Sequence, residues 1–158
     1  MRWDAFEQAC PDIATRAVER FRADELVMLG TLRIDGSPRV SPCELDFAAG
    51  RLFLGMMWRS KKAVDVLRDP RVAVHSVPSD RMNPGGDVKL YGHVVDEAAS
   101  DVRAAFLAAI KARIDWQPDE PYHLFSLDVA SAGYTVFGEP SYALAWDPSR
   151  GLRRLELQ

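Results

Sequence analysis

Four consecutive residues, Arg59-Ser60-Lys61-Lys62, bring together side chains suited to holding an anion. Ser60 is a good helix N-cap, and Ala63, Val64, Val66 and Leu67 behind it supply an apolar face, so the run opens a helix. Asp69-Pro70 closes it, because the proline ring disfavours helical geometry at the preceding residue. The amino end of a helix is the positive end of its dipole, where each cation costs about 0.3–1 kcal/mol. Two readings of this placement stand side by side. The cations form a solvated face screened by water. Alternatively, free amides, the Ser60 hydroxyl and the ammonium groups of Lys61 and Lys62 hold a phosphate dianion, which reverses the sign of the penalty. Pro42, inside the strand-like "RVSPCEL", is a second irregularity. A central strand would lose a ladder hydrogen bond there, so the position implies an edge, a bulge or a backbone that faces a ligand.

Other chemistry finds little support. His75, His93 and His123 lie far apart, with no second ligand at a metal-binding spacing, so no metal site is expected. Neither a G-x-S-x-G elbow nor a Cys–His signature is present, and Cys43 reads as a small apolar filler. "NPGGDVK" leads into a strand where a phosphate-binding loop would lead into a helix.

The elements that must position these residues follow from periodicity. Residues 1–23 read as a helical segment, two short helices broken near Cys10-Pro11. Strand-like runs follow: "ELVMLGTLRI", ending at the hairpin signal Asp35-Gly36, then "PRVSPCELDF" and "GRLFLGMM". After the basic helix come "RVAVHSV", the loop "PSDRMNPGGD" and "VKLYGHVV". Ser100 is placed to cap a second long helix in which Val102, Phe106, Ala109 and Ile110 share a face. "QPDEP" is a breaker, and "YHLFSLDV", "GYTVF", "SYALAW" and "LRRLEL" are short and strand-like. Three successive strands without a crossover helix exclude a doubly wound parallel sheet. The expected fold is α+β: one domain over residues 1–158, a mostly antiparallel barrel of about six to eight strands with peripheral helices.

Composition bounds the partners. The 158 residues are 47% hydrophobic and 27% charged, with a net charge of −3. Bulk attraction to nucleic acid or an anionic membrane is not expected, and a local basic cluster in a mildly acidic chain points to a small anionic ligand. No stretch approaches the ~20 apolar residues of a membrane span. "MRWDAFEQAC" carries acids where a secretory signal has its apolar core, so the expected compartment is the cytoplasm. Two cysteines, Cys10 and Cys43, make no disulfide framework.

The succession "LGTLRIDGSPRVSPCELDF", "GRLFLGMMWRSKKAVDVLRDPRVAV", "DVKLYGHVVDE" resembles the FMN-binding split β-barrels related to pyridoxamine 5′-phosphate oxidase. The most specific part is Ser60-Lys61-Lys62 opening a helix that ends in Asp69-Pro70-Arg71. The resemblance implies that Lys61 and Lys62, with Ser60 beside them and Arg59 adjacent, hold the FMN phosphate. It further implies that Val40, Ser41, Pro42 and Cys43 run along the flavin, that Gly55 and Met56 touch it, and that two subunits form a homodimer with the cofactor at their interface. Departures are visible. Lys61 stands where an arginine is usual, which loses a bidentate fork but keeps the charge. Arg59 stands where a small residue is common. The Arg-x-His element of true pyridoxamine phosphate oxidases is missing from "PSRGLRRLEL", so that activity is not expected. The resemblance therefore implies an oxidoreductase using FMN, or alternatively the deazaflavin coenzyme F420, on a small molecule. No catalytic side chain is assigned, since flavin chemistry resides in the cofactor. The competing expectation is a non-catalytic protein that binds flavin, haem or a vitamin B6 phosphate. Specificity is expected to depend on the loop Ser79–Gly86 and the C-terminal segment.

Overall fold

The order of elements in the computed structural model, which describes residues 1–78 and 85–157, is set by alternating runs that bury one face. Two helices, α1 (Trp3–Ala9) and α2 (Pro11–Asp24), precede strands β1 (Leu26–Leu32), β2 (Pro38–Ala48) and β3 (Arg51–Met57). Then come α3 (Lys61–Arg68), β4 (Arg71–His75), β5 (Asp87–Asp96), α4 (Ser100–Ile114), β6 (Tyr122–Val136), β7 (Tyr142–Asp147) and β8 (Gly151–Glu156). Pairing is antiparallel in the order β3-β2-β1-β4-β5-β6-β7-β8, and β3 also pairs with β6. That last pairing closes β1–β6 into a six-stranded barrel and leaves β7 and β8 as an extension. The fold is the expected α+β barrel.

Period two divides each strand between two environments. Val27 and Leu29, Cys43 and Leu45, and Leu52, Leu54 and Met56 join one core with Phe6, Ile13, Ala17 and Phe21 from α1 and α2. Residues of the opposite strand face, Phe53, Tyr122 and Leu124, form a second cluster with Phe106 and Ile110 of α4. Helix α4 thus lies on the outside of the barrel wall. Pro11 occupies the first turn of α2, as its missing N–H allows.

Three expectations need correction. "YHLFSLDV" and "GYTVF" are one strand, because β6 changes partner midway: residues 122–126 pair with β3 and residues 132–136 with β7, while β5 runs beside both halves. The small residues between them mark a bulge rather than a turn, with a register shift opposite Tyr91 and Gly92. Helix α4 starts at Ser100 with Ala99 in the cap position and no side-chain cap. On α3 the buried residues are Ala63, Asp65 and Val66, whereas Val64 and Leu67 are exposed. Of the loop Ser79–Gly86, only Gly85 and Gly86 lie within the described residues. Among the described residues no helix is long and apolar enough to cross a membrane.

The bulge makes a stringent demand on Gly92, where a Cβ would sit 2.0 Å from the Asp128 carbonyl oxygen. Backbone cannot swing aside as a side chain can. Gly92→Ala is therefore expected to lower unfolding free energy by about 1–3 kcal/mol in urea titration. Gly133→Ala, whose Cβ would meet only the Leu144 carbonyl at 3.7 Å, is the control and should cost less. Equal costs would contradict the assignment of the bulge to Gly92.

Candidate functional site

The β2–β3 ladder runs from Glu44 opposite Gly55 to Ala48 opposite Arg51, so residues 38–43 pair with β1 alone among the described residues. Pro42 lies in this open stretch, and its carbonyl accepts a hydrogen bond from Lys62 Nζ on α3. The N and C=O of one strand residue face the same neighbour, so the ring nitrogen also points to the open side and breaks no ladder bond. Strand β2 is interior to the sheet, but at Pro42 it is locally an edge.

Helix α3 follows that edge. Its buried Asp65 accepts hydrogen bonds at Oδ2 from Thr31 Oγ1 (2.9 Å) and Arg39 Nε (2.7 Å), which are partners across β1 and β2. Arg68 donates to the Leu32 carbonyl farther along. Burial pushes the Asp65 pKa up, but the bonds from Arg39 and Thr31 outweigh it and hold the carboxyl below its ordinary value.

At the amino end the chain turns through Trp58 and Arg59, and Ser60 N donates to the Met57 carbonyl at 3.1 Å. Arg59 sits in the left-handed region (φ 53°), uncommon for a residue with a Cβ. Ser60 occupies the cap position expected for it, but its side chain makes no cap bond; its buried Oγ has no hydrogen-bond partner among the described residues. Arg59 and Lys61 are exposed and Lys62 half-buried, and none of the three forms an ion pair among the described residues.

Beside this helix end lies a cavity of about 670 Å³ on the outer face of the barrel. Pro42 and Glu44 of β2 and Gly55 and Met57 of β3 line it, with Trp58 and Lys62 from the turn and α3. Phe106 of α4 and residues 116 and 118–122 add the facing wall. A Cβ on Gly55 would come within 3.1 Å of the Phe106 ring, so glycine is what lets that ring close on the sheet. The segment read as a breaker is thus a wall. Arg103 holds it by donating to Glu120 Oε1 (3.2 Å) and the Tyr122 carbonyl (3.3 Å), with its guanidinium 4.1 Å from the Tyr122 ring centroid.

The family model described as pyridoxamine 5′-phosphate oxidase matches residues 13–135, well over half of the chain. The chain belongs to that family. Solved structures agree on the fold. A pyridoxamine 5′-phosphate oxidase-related, FMN-binding protein from Nostoc punctiforme superposes with a TM-score of 0.64 at 14% identity, covering 97% of each chain. A NimC/NimA family protein from Clostridium acetobutylicum gives 0.64 at 15% identity, covering 97% of this chain and 98% of its own. A haem-binding protein from Mycobacterium smegmatis gives 0.63 at 19% identity over 92% of this chain, which spans 58% of that protein's length. A search of curated protein sequences finds no match.

Of the residues that the family resemblance singled out, Pro42, Cys43, Gly55, Met56 and Lys62 line the cavity. Val40, Ser41, Arg59, Ser60 and Lys61 do not, although Ser60 and Lys61 directly precede Lys62. Burial pushes the Cys43 thiol up to about 12, so it stays protonated and serves as the apolar filler expected of it. His123 stacks on Trp58 with ring centroids 4.4 Å apart and does not line the cavity. No cluster of three potential metal ligands occurs among the described residues. Sequence reasoning missed Glu44, Trp116 and Tyr122. Only Glu44 left a signal: it lies two residues from Pro42 on one strand and therefore shares its face.

Asp65→Asn keeps the shape of the anchor and removes its charge. Near pH 7 this should lower unfolding free energy by about 1.5–3 kcal/mol, the worth of hydrogen bonds to a charged group. Folded Asp65 titrates below its ordinary value of 3.8, so the wild-type advantage is complete above that value and declines as pH falls through the folded one. Urea titrations of both proteins across that range check this. A difference that does not shrink in acid would contradict the anchoring role.

Proposed function

We propose that the cavity and the adjoining amino end of α3 hold FMN, with coenzyme F420 as the alternative, and that the protein is an oxidoreductase acting on a small molecule. The observation that carries this reading is the buried Ser60 hydroxyl at a helix N-terminus, without a hydrogen-bond partner among the described residues, beside three cations that form no ion pair among them. A phosphate would satisfy the hydroxyl, the free amides and the charges together. Lys62 retains two N–H donors beyond the one given to Pro42. The cavity volume falls within the range of small-molecule sites, about 300–1,000 Å³, and its walls offer the apolar and aromatic surface that a flavin ring requires. The FMN-binding protein from Nostoc punctiforme, which shares the fold, supports the same cofactor.

Bound flavin would supply the electron transfer. The chain's own part is binding, orientation and exclusion of water. Lys61, Lys62 and Ser60 would fix the phosphate, the open stretch of β2 would border the ring, and Phe106 with residues 116–122 would shield it. A bound flavin that is reduced but never reoxidised by any acceptor would instead favour a binding protein without turnover.

The same reading includes a homodimer. Val40, Met57, Trp58, Val64 and Leu67 are 49–79% exposed around the open edge of β2, an apolar surface that a second copy would cover. Light scattering at micromolar concentration should give twice the chain mass of 17.7 kDa, and a monomeric mass with cofactor bound would contradict the dimer.

Replacing both lysines, Lys61→Ala with Lys62→Ala, should weaken FMN binding by roughly 1.5–3 kcal/mol for each charge-assisted bond lost. Riboflavin, which lacks the phosphate, should bind each protein alike. Stability without ligand should stay level or rise slightly, because two cations leave the positive end of a helix. Titrations of both ligands against both proteins at one salt concentration decide the matter. Equal FMN affinity in the two proteins would end the phosphate-site reading.

A further inference from the structure

Four described residues other than glycine have a positive φ: Glu25, Ala49, Arg59 and Asp115. Glu25 and Asp115 are the C-caps of α2 and α4, where a left-handed residue is common. Ala49 shares the two-residue β2–β3 hairpin with Gly50, and such hairpins call for positive φ at both positions. Arg59 differs from these, because it precedes a helix. Ser60 N donates to the Met57 carbonyl, so residues 57–60 form a turn with Arg59 third. Positive φ at that position, and not at Trp58 before it, makes a type II turn, which favours glycine there. A residue with a Cβ held left-handed costs free energy and persists only where its surroundings impose it.

The side chain placed to impose it is Trp58. The β3–β6 ladder ends at Met57 opposite Tyr122, with Met56 opposite His123. Trp58 continues the face of Met56 and lays its indole on the His123 ring, centroids 4.4 Å apart and planes 11° from parallel. His123 lies in turn 5.9 Å from Phe125, with planes 17° from parallel, and Phe125 belongs to the main core. A stack of rings thus runs from the core to the turn. His123 is 8% exposed, makes no side-chain hydrogen bond or ion pair among the described residues, and has its Nε2 buried. It acts here as a flat ring. Trp58 itself is 53% exposed, so the stack is what anchors it.

We propose that His123 is a positioning residue that acts through Trp58: the stack holds the strained 57–60 turn, and with it the Ser60–Lys62 end of α3, in the form that receives a phosphate. The inference rests on the phosphate-site reading and adds the part that shapes the seat before the ligand arrives. Holding donors in place beforehand lowers the cost of binding. Asp65 anchors α3 one turn farther along and leaves this end to other contacts. Cations at the positive end of a helix dipole push the same end to fray. Without the stack, Arg59 relaxes to negative φ, the turn opens, and Ser60, Lys61 and Lys62 lose their common aim.

The test is a double-mutant cycle on FMN affinity, read by flavin absorbance. His123→Ala, His123→Phe and Trp58→Leu are each made with Arg59 in place and together with Arg59→Gly. With Arg59 in place, His123→Ala and Trp58→Leu should each weaken FMN binding about tenfold. His123→Phe keeps a ring and should stay within about twofold of the wild type. Glycine adopts the left-handed turn without strain, so in the Arg59→Gly proteins the same two losses should shrink to about threefold or less. Trp58 is exposed, so Trp58→Leu carries the prediction even where His123→Ala fails to fold. Undiminished FMN affinity in Trp58→Leu, no rescue by His123→Phe, or an equal loss in the Arg59→Gly proteins would overturn the proposal; the last result would mean that Trp58 touches the ligand directly. A wild type that binds no FMN would instead overturn the cofactor reading, and this inference with it.

Discussion

A single carboxylate, Asp65, fixes where everything else at the site can be. A charge withdrawn from water is tolerated only when hydrogen bonds replace its hydration. Thr31 and Arg39 meet that need because the β1–β2 register sets them opposite each other, within reach of one oxygen of Asp65. The helix that carries Asp65 is thereby held along the stretch of β2 that β3 leaves unpaired. Its amino end arrives at Pro42, and Lys62 reaches that carbonyl. Of the cations that look misplaced on an isolated helix, Lys62 is thereby delivered to the lining of the cavity.

The cavity lies outside the barrel, and period two explains why. On β3, Leu52, Leu54 and Met56 fill the main core, while Phe53 joins the cluster beneath α4 and Gly55 meets the Phe106 ring. On β2, Cys43 and Leu45 turn in, leaving Pro42 and Glu44 for the other face. Glycine at position 55 thins the wall so that Phe106 can seat against it. Arg103 then ties residues 120–122 down as the opposite side. Family membership accounts for the barrel. The polarity of this particular cavity comes from Glu44 on β2 and Lys62 on α3.

Much of this arrangement was legible along the chain where the signal is local. Asp35-Gly36 marked a hairpin, Pro11 the start of a helix, and Pro42 an interruption that proved to be a local edge. Signals that depend on distant partners were not legible. Strand β6 reads as two because Ala130, Ser131 and Gly133 resemble a turn, and only its successive pairing with β3 and β7 makes it continuous. On α3, helical periodicity assigned Val64 and Leu67 to the buried face because Asp65 is polar. The two donors that invite Asp65 inward sit on strands that precede it by many residues. Residues 115–121 show no periodicity at all, so their role as a wall emerges only once α4 and Arg103 are in place.

The most direct measurement is a crystal structure of the protein grown with FMN. The account predicts the phosphate at the amino end of α3, within hydrogen-bond distance of Ser60 Oγ and of Lys62 Nζ, with the ring in the cavity bordered by Pro42 and Phe106. A flavin bound elsewhere on the barrel, or one seated with its phosphate away from α3, would contradict it.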